Sequence, residues 1–155
     1  MRGIRGAARN AYIPIAQAAA HGKEIGFFGT RDSDMYSYTR VAPPNSLLVI
    51  SDADGWTPPE FKRGELILST SSCITIGCRM FVDGETLVVL GSAAEVDPGE
   101  PPAFEGMLET PNRKVVVSTV ERETVLESRV PGIRAHVRIW VDHPKEPDKI
   151  VIGLT

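Results

Sequence analysis

A chain of 155 residues with 42% apolar and 24% charged side chains suits one domain with its own hydrophobic core, and argues against a disordered segment or a disulfide-dependent miniprotein. The net charge of -3 gives no bulk attraction to phosphate backbones, so direct nucleic-acid binding is not expected. No apolar run approaches the roughly eighteen residues that a membrane-spanning helix needs.

Arg2, Arg5 and Arg9 precede the first carboxylate, Glu24, and Pro14 and Gln17 interrupt the apolar stretch at residues 11–20. This reads as a basic arm rather than an export signal. Pro14 suits the first turn of a helix, residues 16–20 propagate one, and Gly22 can end it. Residues 1–45 are therefore read as an N-terminal arm with one short helix, apart from a short strand near residues 25–28. Residues 46–155 are read as an antiparallel β domain.

Within that domain, residues 46–51 contain the apolar run Leu47-Leu48-Val49-Ile50, a strand signal. Asp52-Ala53-Asp54-Gly55 turns away from it. Thr57 with Glu60 three residues on has the spacing of a capping box, which predicts a single helical turn. Residues 65–69 read as another strand. Residues 73–82 and 85–90 flank Asp83-Gly84, the signature of a type I′ hairpin. Residues 97–102 form a loop rich in Pro, Gly and Glu. Residues 114–120 and 124–130 read as strands separated by Glu121-Arg122-Glu123. Pro131-Gly132 suits a type II turn. Residues 133–141 alternate cleanly, with Ala135, Val137, Ile139 and Val141 on one face and Arg134, His136, Arg138 and Trp140 on the other. A turn around His143-Pro144 leads to a last strand at residues 150–154. Seven or eight short strands and frequent turns predict an all-β fold, an antiparallel sandwich or barrel.

Two sets of residues are candidate binding sites. The row Arg134, His136, Arg138 and Trp140, with Asp142 next in register, combines guanidiniums with an indole and could grip an anionic ligand. On the plain alternative reading, its arginines pair with acids of a neighbouring strand, such as Glu121, Glu123 or Glu127. The second set is the acids Glu95, Asp97, Glu100 and Glu105 around the proline-rich loop, suited to a basic protein partner or simply solvated. The Asp52-x-Asp54-Gly55 and Asp32-Ser33-Asp34 pairs read as turns, since Arg63 stands where a calcium loop would place its final glutamate. No phosphate loop, dinucleotide fingerprint, nucleophile elbow or zinc-protease motif occurs. His21, His136 and His143 lie in no recognisable catalytic motif, so no catalytic residue, cofactor or metal is assigned. Cys73 and Cys78, five residues apart, fall on opposite faces of a strand and read as free, buried thiols, which suits the cytoplasm.

Gly55-Trp56-Thr57, then Phe61, Gly64 and a strand, resembles a segment of the bacterial ComJ-like competence-nuclease inhibitors. So does the later pattern of residues 114–120, Arg129-Val130-Pro131-Gly132, an alternating strand and a closing strand. The resemblance covers residues 46–154 and implies a small, mostly β, non-catalytic protein that binds and blocks a nuclease or related toxin. It transfers no inhibitory residue. Two other readings stay open: a ligand-binding or enzymatic β-barrel with the Arg134 row at its mouth, and a homodimer joined through two-faced apolar strands such as residues 47–50 and 115–117.

Overall fold

The computed structural model describes residues 26–28 and 36–155. The short helix expected at residues 14–22, His21 and the Asp32-Ser33-Asp34 pair lie outside the described residues. Within them the chain forms β1 (Gly26–Phe28), β2 (Tyr36–Val41), β3 (Leu47–Ser51), β4 (Ile67–Ser69), β5 (Cys73–Gly77), β6 (Thr86–Ser92), the short helix α1 (Ala93–Val96), β7 (Phe104–Glu109), β8 (Lys114–Thr119), β9 (Thr124–Arg129), β10 (Arg134–Val141) and β11 (Lys149–Leu154). These strands make two sheets, ordered β1-β2-β6-β11-β10-β7 and β4-β5-β3-β8-β9. The sheets stack as a sandwich and do not close into a barrel.

Strict alternation builds the core between them. Leu48, Ile50, Ile74, Ile76, Val115 and Val117 of the smaller sheet face Val88, Leu90, Val137, Ile139, Ile150 and Ile152 of the larger one, and all are buried. Full burial of one such side chain stabilises by roughly 1.5–3 kcal/mol. A second apolar cluster forms on the far side of the larger sheet, where Leu87, Val89 and Val151 pack with Tyr36, Val96 and Trp140. Burial under this layer pushes the Tyr36 hydroxyl pKa up, and Tyr38 and Glu95 add to the shift.

β6 and β11 are thus apolar on both faces, which is why Leu87-Val88-Val89-Leu90 and Ile150-Val151-Ile152 read as continuous runs. These two strands pair in parallel, as fits strands covered on both sides. The sheet is therefore mixed rather than purely antiparallel. Gly153 of β11 permits the outer layer to close down: a Cβ there would stand 3.0 Å from both Ala93 and the Trp140 ring.

Several local expectations are corrected. No type I′ hairpin joins β5 to β6, because the two strands belong to different sheets. Phe81–Asp83 instead forms a 3-10 turn, and of Asp83 and Gly84 only Gly84 has positive φ, at 130°. β5 finds its antiparallel partners in β3 and β4. Thr57-Pro58-Pro59-Glu60 forms no helical turn. The Thr57 N–H donates to Ser72 Oγ (2.8 Å) and its carbonyl accepts from Thr70 Oγ1 (2.7 Å), so its backbone is committed to a loop. Pro131-Gly132 carries the chain from one sheet to the other, and Gly132 is not at positive φ, so the turn is not type II. β2, β7 and α1 were not anticipated as separate elements. β1 and β2 belong to the segment read as an arm, yet both pair into the larger sheet.

Candidate functional site

The alternating row of β10 lies on the outer face of the larger sheet, as its period predicts, with β7 and β11 on either side. Register sets Arg138 opposite Glu105, and His136 opposite Met107. His136 Nε2 lies 2.9 Å from Glu105 Oε2, and Arg138 Nε lies 3.4 Å from the same oxygen. The Arg138 guanidinium also reaches Asp97 Oδ2 at 3.8 Å. His136 and Arg138 of the basic row and Glu105 and Asp97 of the acidic set are therefore brought together, and they partner each other. The acids expected opposite the row lie elsewhere: Glu121 and Glu123 flank the β8–β9 turn, and Glu127, on the smaller sheet, pairs with Lys114 at 3.3 Å.

Trp140 departs furthest from a ligand-gripping role. It is 5% exposed within the second cluster, and its indole N–H donates to the Glu100 carbonyl at 2.7 Å. That bond pins the proline-rich loop onto the sheet. Asp142 closes the β10–β11 hairpin, where Oδ1 accepts the N–H groups of Asp148 (2.9 Å) and Lys149 (3.1 Å). His143 acts similarly in the same turn: Nδ1 accepts from the N–H groups of Lys145 and Glu146. Glu95 sits on α1 near Tyr36. Arg134 is exposed at the start of β10.

The outer face of the smaller sheet is different. Leu47 and Val49 of β3, Leu68 of β4 and Thr75 of β5 point away from the core and form the floor of a groove of about 780 Å³. The long connection from β3 to β4, residues 52–66, arches over that floor. Three sets of contacts hold the arch. Asp52 is buried at its root, where its carboxylate accepts the N–H groups of Ala53 and Asn112. Thr57 is tied to the β4–β5 turn, as above. The Arg122 guanidinium, from the β8–β9 turn, stacks over the Trp56 ring at 5.0 Å, a cation–π contact.

The walls of the groove are Trp56, Phe61, Met80 and Val120. Phe61 is 83% exposed, Met80 49% and Val120 43%, and next to Met80 the 3-10 turn exposes Phe81 and Val82 as well. A concave apolar surface with protruding aromatic and Met side chains is the composition of a recognition site. None of Arg134, His136, Arg138 and Trp140 lines it. Sequence reasoning missed Phe61 as a contact residue, as well as Met80 and Val120. Trp56 and Phe61 stood out only through the resemblance carried by Gly55-Trp56-Thr57 and Phe61, not as groove residues.

Chemistry in the groove is limited. Cys78 lines it but is 4% exposed, and burial pushes its thiol up to about 11 despite a hydrogen bond with Thr86. Burial does the same to Cys73. Both thiols are free and buried, as the spacing predicts, and neutral thiols are poor nucleophiles. Among the described residues, no group of three or more His, Cys, Asp and Glu side chains could hold a metal ion, and no helix is long and apolar enough to cross a membrane.

No family model matches the chain, and no curated protein matches its sequence. Among solved structures, the chain is similar to ComJ from Bacillus subtilis, an inhibitor of the DNA-degrading activity of NucA. The TM-score is 0.56 at 9% identity, covering 84% of this chain and 97% of that one. A structure described as crocagin biosynthetic gene J is also similar, with a TM-score of 0.40 at 12% identity over 77% of this chain and 94% of that one. The resemblance read from Gly55-Trp56-Thr57 and the C-terminal strand pattern is thus matched by a resemblance in fold to ComJ.

Proposed function

We propose that this chain is a non-catalytic binding protein that captures and blocks a protein partner, a nuclease or related toxin, in the cytoplasm. One observation carries the reading: the apolar groove on the outer face of the smaller sheet is roofed and held open by a fixed loop, while Phe61 on that loop stays 83% exposed. Large apolar side chains gathered around a concavity are the kind of anchor that dominates protein interfaces. The fold likeness to ComJ supports the same reading, because ComJ inhibits a DNA-degrading protein. The net charge of -3 favours encounter with a basic partner, as many nucleic-acid enzymes are. The two free thiols suit a reducing compartment.

The test is capture followed by assay. The full chain, tagged and cross-linked in its native cells, is expected to retain one stoichiometric protein partner. Adding purified chain to that partner is expected to stop its DNA or RNA degradation at a molar ratio near one. Recovery of no stoichiometric partner, or of a partner whose activity is unaffected, overturns the reading. Sedimentation of the chain alone separates it from the homodimer reading, which requires self-association in the absence of any partner.

A further inference from the structure

The groove ends at a sheet edge. β4 is the terminal strand of the smaller sheet, and among the described residues no strand pairs with its far side. Its hydrogen-bond parity follows from two bonds to β5: Gly77 N–H donates to the Leu66 carbonyl, and Thr70 N–H to the Cys73 carbonyl. The even-numbered residues therefore face β5. The N–H and C=O groups of Ile67 and Ser69 point outward along the open edge.

Each side of that edge opens onto a concavity. On the outer face lies the apolar groove, with Leu68 in its floor and Trp56 and Phe61 above. On the inner side lies a second hollow of about 510 Å³, where the sandwich gapes between β4 and the end of β10. Val141 and Ala103 give it an apolar back, and Glu65 and Asp142 an acidic rim beside His143. The two hollows share Gly64, Glu65, Leu66 and Pro144, so together they flank the edge.

Edges elsewhere are guarded. On β7 the outward N–H of Glu109 already donates to the Ser71 carbonyl, and Glu105 and Glu109 place carboxylates along the strand. β9 carries Glu127 and Arg129 and pairs with β8 through a register shift. Charges and irregularities of this kind prevent edge pairing. Of the three edges whose side chains are described, β4, with Ile67-Leu68-Ser69, alone lacks a charged residue.

We propose that β4 receives an extended segment of the protein partner as an added strand. The segment's backbone completes the ladder at Ile67 and Ser69. Its side chains alternate, with apolar ones entering the outer groove and basic ones the acid-rimmed inner hollow. An added strand sends successive side chains to opposite faces, and here each face supplies a receptacle of different chemistry. The acidic rim selects cations on one parity. This inference deepens the proposed function and rests on it for the identity of the partner, but its test does not need that partner.

The probe is a synthetic eight-residue peptide alternating Leu and Lys, added to the full chain. The readout is amide hydrogen exchange followed residue by residue by NMR. At saturating peptide, the Ile67 and Ser69 amides are expected to exchange at least tenfold more slowly, while the Met107 amide on the β7 edge is unchanged. A peptide alternating Leu and Glu, and one with four Leu followed by four Lys, are expected to give less than a third of that protection. Ser69→Pro, which deletes an outward N–H with no partner among the described residues, is expected to weaken the Leu/Lys peptide at least tenfold. Unchanged exchange at Ile67 and Ser69 overturns strand addition at β4, and equal protection by the Leu/Glu peptide overturns the selection of basic side chains by the acidic rim. If a nuclease partner is captured all the same, the proposed function stands and only the docking mode falls. If no partner is captured but the peptide protects β4, the docking mode stands and the nuclease reading falls.

Discussion

The outer faces of the two sheets carry opposite kinds of surface. On the larger sheet, most of the groups that looked suited to a ligand already have partners within the fold: Glu105 serves His136 and Arg138, Asp97 also approaches Arg138, and Trp140 is buried and bonded to Glu100. On the smaller sheet, Phe61, Met80 and Val120 stand around a groove that no side chain among the described residues fills. Charged residues catch the eye in a sequence, yet within a fold they readily neutralise one another. Exposed apolar side chains have no such remedy, since only burial removes them from water. The face left uncovered among the described residues is the better guide to function.

That contrast can be broken by substitution. Trp140→Ala is expected to cause the largest loss, about 3–5 kcal/mol of stability by urea denaturation, since it empties the centre of the outer layer and frees the proline-rich loop. Partner affinity of the folded fraction is expected to hold; a loss of affinity at constant stability would return Trp140 to the binding surface. Asp52→Ala is expected to cost about 1.5–3 kcal/mol, because it strips two backbone N–H groups of a charged acceptor. It is also expected to loosen the roof of the groove, read as faster amide exchange in residues 53–57.

Phe61→Ala sharpens the comparison from the other side. Its stability is expected to stay within about 0.5 kcal/mol of the parent, while affinity for the captured partner falls tenfold to a hundredfold, or about 1.4–2.7 kcal/mol. Glu105→Gln is the smallest change. It removes a half-exposed charge and is expected to alter stability by less than about 1 kcal/mol, with no change in affinity measured by calorimetry. A further check uses pH. The folded state holds both cysteines as neutral thiols, raised from the ordinary 9.0 to about 11. Their contribution to stability is therefore complete below pH 9 and declines as pH rises from 9 toward 11. Replacing both by Ala is expected to flatten that decline in a pH series of thermal melts.

Much of the fold was legible in the sequence because period-two alternation reports burial directly. β3, β8, β9, β10 and β11 follow from runs of Val, Ile and Leu, and the inward set Ala135, Val137, Ile139 and Val141 is as the alternation predicts. What alternation does not report is which sheet a strand joins. Asp83-Gly84 carries a strong hairpin signal, but β5 pairs with β3 and β4 and β6 enters the other sheet, so tertiary pairing overrode local turn chemistry. β7, in Phe104-Glu105-Gly106-Met107-Leu108-Glu109, was missed because Gly106 and two glutamates dilute its pattern on a sheet edge.

The candidate site was less legible. The Arg134 row lies on the face away from the core, as the alternation predicts, but Trp140 joins an apolar layer there and the meaning of the rest depends on β7, an unforeseen strand that supplies Glu105. The groove depends on a loop crossing a sheet, and neither Phe61 nor Met80 carries a mark in sequence that separates an exposed aromatic or Met from a buried one. The Gly55-Trp56-Thr57 and Phe61 residues were nevertheless singled out for their resemblance to the nuclease inhibitors, and they form the arch itself.

The most direct measurement is hydrogen exchange by mass spectrometry on the chain alone and in complex with its captured partner. Slowed exchange is expected in residues 56–69 and around Met80 and Val120, with residues 104–109 and 134–140 unchanged. Slowed exchange confined to residues 104–109 and 134–140, with the arch and β4 unaffected, would contradict that expectation.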